Sequence, residues 1–267
     1  MTVEFQHQCH EITVDDVPLR IAAISRKGHL APILFLHGFG STKEDYGDIT
    51  RHHAFNGHPF LAYDAPGCGD THCADLSRIS IPFLVKTARK MLDAAGIEKF
   101  HVVGHSMGGL TALMLADAHP DRILSFTDIE GNIAPEDCFL SRQIIAHAEP
   151  DPDAFMDAFV ARTLQSPAYA SALYSAGLRH KVRAQAVRPI FISMVDLSDN
   201  GNLMERFLNL SAPKMFMYGD QNASLSYLDH IEASGVRRCE IPQSGHFPMY
   251  SNPPVMWHEI LNFIGNI

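Results

Sequence analysis

The chain has 267 residues, 46% hydrophobic and 19% charged, with a formal net charge of −9. That length suits one large α/β domain or a domain carrying an insert, and the acidic balance argues against a general nucleic-acid binder. Residues Met1–His7 lack a basic n-region and an apolar h-region, and no apolar run approaches the length of a membrane span, so a cytoplasmic protein is expected.

In chain order, residues 3–9 and 17–25 read as a strand pair, the second being β-branched and partly alternating. Pro32-Ile33-Leu34-Phe35-Leu36 is wholly apolar, as suits a strand covered on both faces. It ends in His37-Gly38-Phe39-Gly40. Phe60-Leu61-Ala62-Tyr63 is a second such strand and runs into the turn-rich Asp64-Ala65-Pro66-Gly67-Cys68-Gly69. Residues 80–95 have helical spacing and close at Gly96.

Phe100 to Val103 is again apolar and leads into Gly104-His105-Ser106-Met107-Gly108-Gly109. This G-x-S-x-G pattern, with a strand before it and the helical Leu110 to Ala118 after it, is a nucleophile elbow. Side chains at Gly104, Gly108 or Gly109 would collide with the adjoining elements. The turn pushes the Ser106 hydroxyl out at a helix N-terminus, where free N–H groups stabilise a developing anion. Residues 122–129 form another strand and deliver Glu130-Gly131-Asn132.

From 133 to 205 the texture changes to helices, near 136–147, 152–164, 167–178 and 180–196, punctuated by prolines at 150, 152, 167 and 189. Strand–helix alternation resumes with strands at 213–218 and 236–241, and helices at 225–232 and 253–265. The expected architecture is a mostly parallel eight-stranded sheet flanked by helices, formed by residues 1–132 and 206–267, with residues 133–205 as an inserted helical cap. The five cysteines (Cys9, Cys68, Cys73, Cys138, Cys239) form an odd, scattered set that fits reduced thiols. Cys68 to Cys73 encloses Asp70 and His72 but matches no common zinc spacing, so no metal is expected.

A serine hydroxyl needs a base to take its proton, and the base needs a carboxylate to fix its tautomer and stabilise the imidazolium. His246, in Gln243-Ser244-Gly245-His246-Phe247-Pro248 just past the last strand, is the candidate base. His37 and His105 are rivals, although the His105 side chain should point to the sheet side of the turn.

These pieces resemble the α/β-hydrolases, in particular the capped branch of esterases, lactonases and haloalkane-dehalogenase-like proteins. The resemblance rests on His37-Gly38-Phe39-Gly40, Asp64-Ala65-Pro66-Gly67-Cys68-Gly69, the elbow and Ser244-Gly245-His246, and it covers nearly the whole chain. It implies an α/β-hydrolase fold and an oxyanion hole formed by the N–H groups of Phe39 and Met107. The chain departs from the family at the acid. The usual G-x-x-D turn reads Gly219-Asp220-Gln221-Asn222, so the expected aspartate is an asparagine. Glu130, 24 residues after Ser106, is the preferred carboxylate, because some family members place the acid after that strand. Asp220 and Asp128 are the alternatives.

With serine at the elbow the resemblance implies an acyl-enzyme, and hence a small-molecule ester or lactone substrate and no cofactor. A thioester, carbon–carbon cleavage, or a non-catalytic small-molecule sensor are the alternatives. Neither nucleic acid nor a membrane is an expected partner, and a homodimer stays open. Arg142 in the cap is a candidate for binding a substrate carboxylate. Phe139, Phe155, Met156, Phe159 and Met194 are candidates for an acyl pocket.

Overall fold

The computed structural model describes residues 5–147 and 150–267. Its strands are β1 (Gln6–Val14), β2 (Val17–Arg26), β3 (Ile33–Leu36), β4 (Phe60–Tyr63), β5 (His72–Cys73), β6 (Phe100–His105), β7 (Ile123–Ile129), β8 (Lys214–Gly219) and β9 (Arg237–Ile241). Eight of them form one path in the order β1-β2-β4-β3-β6-β7-β8-β9, and the two-residue β5 pairs with β2 off that path. The β1–β2 and β2–β4 pairs are antiparallel, and every pair from β4 to β9 is parallel. The expected eight strands are present, and His72 and Cys73, where no strand is expected, add a short ninth.

Residues 3–4 of the first expected strand lie outside the described residues. The strand itself runs on to Val14, five residues beyond its expected end. Glu11 to Val14 alternate polar and apolar, and Asp15 and Asp16 both take positive φ, 46° and 64°. That is the geometry of a two-residue hairpin turn, which fixes the register Val14 to Val17.

The helices are α1 (Ile81–Ala94), α2 (Met107–Ala118), α3 (Phe139–Ile145), α4 (Pro152–Leu164), α5 (Ser171–Lys181), α6 (Ala184–Asn200), α7 (Leu203–Asn209), α8 (Leu228–Ala233), α9 (Pro248–Ser251) and α10 (Pro253–Ile264). β3, β4 and β6 are buried along their whole length. In a parallel sheet with both faces covered, no position can face water, so the strands read as continuous apolar runs. α2 carries Gly, Ala, Leu and Met almost throughout because it is buried nearly all round.

Two boundaries of the helical insert are corrected. The helix expected near 180–196 begins at Ala184 and runs to Asn200, because α5 continues to Lys181 and Val182 and Arg183 are extended. The boundary at 205/206 would cut α7. That helix packs on the core, with Phe207 edge-on to Phe126 of β7 and Phe216 of β8 at 5.9 and 6.5 Å. The chain leaves the cap at Gly201-Asn202, where Asn202 takes a left-handed φ of 50°.

Parallel strands have one functional consequence. Their C-terminal ends lie along the same edge of the sheet. The residues just past β3, β6, β7, β8 and β9 are therefore brought together: His37-Gly38-Phe39, Ser106, Glu130, Asp220–Asn222 and the loop holding His246.

Candidate active site

Ser106 joins β6 to α2 with φ 52° and ψ −119°. A non-glycine residue holds such a conformation only when its surroundings over-determine it. Here the Ser106 N–H donates to the Ile129 carbonyl at 2.9 Å, and its own carbonyl accepts the Leu110 N–H at 3.0 Å. The glycines around it are tightly enclosed. A Cβ on Gly104 would lie 2.5 Å from the Gly108 carbonyl oxygen, one on Gly108 2.1 Å from the Leu36 oxygen, and one on Gly109 2.4 Å from Asp128 Oδ1. Met107 is the first residue of α2, so its N–H has no partner within the helix.

The carboxylate beside His246 is Glu130. His246 Nδ1 lies 2.7 Å from Glu130 Oε2. The imidazole side chain is 40% exposed and the glutamate side chain only 6%. Glu130 follows β7 with φ 46°. Its N–H donates to the Met217 carbonyl at 3.0 Å. Asp128 closes the same turn by accepting the Gly131 N–H at 2.8 Å.

Asn222, read from sequence as an empty acid position, has a role of its own. Its Nδ2 donates to both Glu130 oxygens, at 2.9 and 2.8 Å, and the Gly219 N–H donates to Oε1 at 2.8 Å. Burial raises the Glu130 pKa, but the bond and charge of His246 and the donors Asn222 and Gly219 outweigh it, and the group ends below the ordinary carboxylate range. A second carboxylate at 222 would have faced Glu130 with like charge. The amide turns that contact into a donor.

The other acids do different work. Burial, the largest effect on Asp128, holds its carboxyl well above the ordinary range. Asp220 accepts the N–H groups of Gln243 and Ser244 at 2.8 and 3.1 Å, tying down the loop that carries His246. The rival histidines both hold backbone. His37 accepts the Ala65 N–H at Nε2 (2.9 Å) and donates from Nδ1 to the Gly38 carbonyl (2.8 Å). His105 is fully buried and donates from Nε2 to the His246 carbonyl at 2.7 Å. Burial first, then the neighbouring His246, keeps its pKa well below the usual histidine value.

Phe39 lies in the tight turn after β3, closed by the Ser41 N–H on the Gly38 carbonyl at 3.1 Å. The buried pair Lys43 and Asp64 anchors this turn to the loop after β4. Lys43 Nζ is 2.7 Å from Asp64 Oδ2, and the Lys43 N–H is 2.9 Å from Oδ1. Helices α4 and α6 pack on Phe39, whose ring meets Phe191 at 4.7 Å and Phe159 at 6.3 Å. Phe155, Met156, Phe159 and Met194 are buried, whereas Phe139 is 74% exposed and lines no interior.

Arg142 is likewise placed elsewhere. Its guanidinium pairs with Asp199 and donates to the Pro135 carbonyl on the outer surface, so its charge is already matched there. A helical cap exposes one face of each helix, and sequence alone did not say which face Arg142 occupies.

Among the described residues, no group of three or more His, Cys, Asp or Glu side chains is arranged to hold a metal, and no helix is long and apolar enough to cross a membrane.

The strand order, the elbow and the residues along this edge are those of the alpha/beta hydrolase fold, whose family model matches residues 31–186. The chain belongs to that family. Among its relatives, the pimeloyl-[acyl-carrier protein] methyl ester esterase of Aeromonas hydrophila is 25% identical over 261 residues, spanning 91% of this chain and 99% of the relative. The monoacylglycerol lipase abhd6-A of Xenopus laevis is 25% identical over 255 residues, spanning 85% and 73%. A carboxylesterase structure from the thaumarchaeon Nitrososphaera gargenis superposes with a TM-score of 0.79 at 14% identity, covering 96% and 98%.

Proposed function

We propose that the protein is a serine hydrolase that cleaves a small-molecule carboxylic ester or lactone. The observation that carries this reading is the 2.7 Å bond between His246 Nδ1 and Glu130, on the same sheet edge as the strained Ser106 turn. The esterase and lipase among the relatives support the same substrate class.

In this reading Ser106 Oγ attacks the acyl carbonyl while His246 Nε2 takes its proton. Glu130 holds the proton on Nδ1 and compensates the imidazolium charge. The N–H groups of Phe39 and Met107 receive the oxyanion. His246 returns the proton to the leaving alkoxide, and the alcohol departs. Water, deprotonated by His246, then attacks the acyl-enzyme and releases the acid.

Labelling with a fluorophosphonate probe tests the nucleophile. Wild type should label and Ser106→Ala should not; absence of wild-type labelling would refute the reading. A panel of esters, lactones and thioesters then assigns the acyl substrate by turnover.

The same chemistry predicts a role for Asn222 that a pH profile reads. Removing a donor from the ionised form of a carboxyl makes that form less stable, so its proton is held to higher pH. Asn222→Ala should therefore raise the Glu130 pKa, in the direction opposite to the depression seen with the donor in place, and the pH profile of the Glu130 carboxylate signal, followed by infrared or NMR titration, measures it. A Glu130 titration that stays in place would show that Asn222 does not keep Glu130 charged.

A further inference from the structure

The cap does more than cover the site, because one face of α5 reaches both loops of the machinery. Tyr174 is 6% exposed and its hydroxyl donates to the Phe39 carbonyl at 3.1 Å. Its ring occupies the space beside Gly40, where a Cβ would lie 2.4 Å from Tyr174 Cε2. The same ring stacks on Phe247 at 4.3 Å and 26°. Phe247 is the residue after His246, meets its imidazole edge-on at 5.0 Å, and meets the His105 ring at 5.3 Å. On the far side of Phe247 lies Tyr250, stacked at 5.7 Å and 18°.

Two helical turns after Tyr174, and so on the same face of α5, Lys181 donates to the Tyr250 hydroxyl at 3.0 Å. That hydroxyl donates in turn to Asp45 at 2.7 Å. The end of α5 is itself strapped to the loop after β4. The Gly69 N–H donates to the Lys181 carbonyl at 2.8 Å, and the Arg183 N–H to the Gly67 carbonyl at 2.9 Å.

From this geometry we infer that α5 is a clamp, with Tyr174 and Lys181 as positioning residues. Tyr174 holds the oxyanion turn through the Phe39 carbonyl and the base loop through Phe247. Lys181 holds the base loop through Tyr250. The inference rests on the proposed roles of Phe39 and His246. Side chains with locked surroundings keep reacting groups within a fraction of an ångström, and a small misplacement costs rate rather than binding.

Hydrogen–deuterium exchange and kinetics on the full chain test the clamp together. In Tyr174→Ala, peptides covering 37–42 and 243–252 should exchange about tenfold faster or more, while β3, β6 and β7 stay protected. Tyr174→Phe keeps the stack and loses the hydroxyl, so only 37–42 should loosen. Lys181→Met should loosen only 243–252. With a small soluble ester such as p-nitrophenyl acetate, Tyr174→Phe should lower kcat about tenfold with KM nearly unchanged. Wild-type exchange in both loops of Tyr174→Phe and Lys181→Met would overturn the clamp, as would a raised KM at unchanged kcat. If wild type turns over no ester, the proposed reaction fails while the exchange pattern still decides the clamp. If Tyr174→Ala does not fold, the two milder variants carry the test.

Discussion

Glu130→Gln is expected to lower kcat for ester hydrolysis by about 10⁴-fold, the scale seen when a base is left with the wrong tautomer. The reason lies in the donors around this side chain. Glu130 accepts from Gly219 and Asn222 at one oxygen and from Asn222 and His246 at the other. An amide has only one acceptor oxygen. Turned toward Gly219, it presents its NH₂ to His246 Nδ1, which then loses its proton, and Nε2 carries the hydrogen. An Nε2–H cannot take a proton from Ser106. Turned the other way, the NH₂ opposes the Gly219 N–H in a buried site, and the imidazolium lacks its counter-charge. Steady-state kinetics with an ester found in the turnover panel measures the loss. Asp220→Asn is the matched comparison, because the Asp220 carboxylate accepts backbone N–H groups, those of Gln243 and Ser244 among them, and does not touch His246. It should stay within a few-fold of wild type. A reversal, with Asp220→Asn inactive and Glu130→Gln active, would move the acid to Asp220.

The second large effect concerns stability. Gly108→Ala should cost on the order of 3 kcal/mol or more, or prevent folding. The added methyl would sit 2.1 Å from the Leu36 oxygen and 2.6 Å from the His37 oxygen, both backbone atoms of β3 and the loop after it. Neither can retreat without shifting α2 or the turn that carries Phe39. Gly96→Ala supplies the contrast. Gly96 has a left-handed φ of 66°, but nothing lies within 4 Å of an added Cβ. Its cost is conformational only, about 1 kcal/mol. Urea midpoints of the two variants check the difference. Equal midpoints would mean that α2 can move away from β3 at little cost.

Much of this site is legible in the residues, and the rest is not, for reasons that can be traced. The elbow is legible because Gly104, Gly108 and Gly109 lie within a few residues of the serine whose turn they permit, even though Leu36 and Asp128, which crowd Gly108 and Gly109, lie far along the chain. The buried strands are legible because parallel packing removes the polar positions that would interrupt an apolar run. His246 follows from its place after the last strand, and Glu130 from the lack of a carboxylate at Asn222. Hairpin β1–β2 was read too short because the Asp15-Asp16 turn holds two positive φ values at residues other than glycine. The boundary at 205/206 is misplaced because nothing local in the sequence separates α7 from the helices before it. The contacts of Phe207 with the sheet and the Arg206–Asp117 pair with α2 assign α7 to the core.

The apolar runs of the buried strands, the elbow with its glycines, and the presence of Ser106, His246 and Glu130 after strands are all readable along the chain. Burial and the need for small residues at a sharp turn leave their mark on consecutive positions. Who meets whom across the sheet edge is visible only in the folded chain. Asn222 donates to Glu130 from 92 residues away. Tyr174 reaches Phe39 across 135, and Arg142 turns outward to Asp199 across 57. Such contacts depend on where separate elements come to rest against one another, and no local pattern of residues encodes that distance.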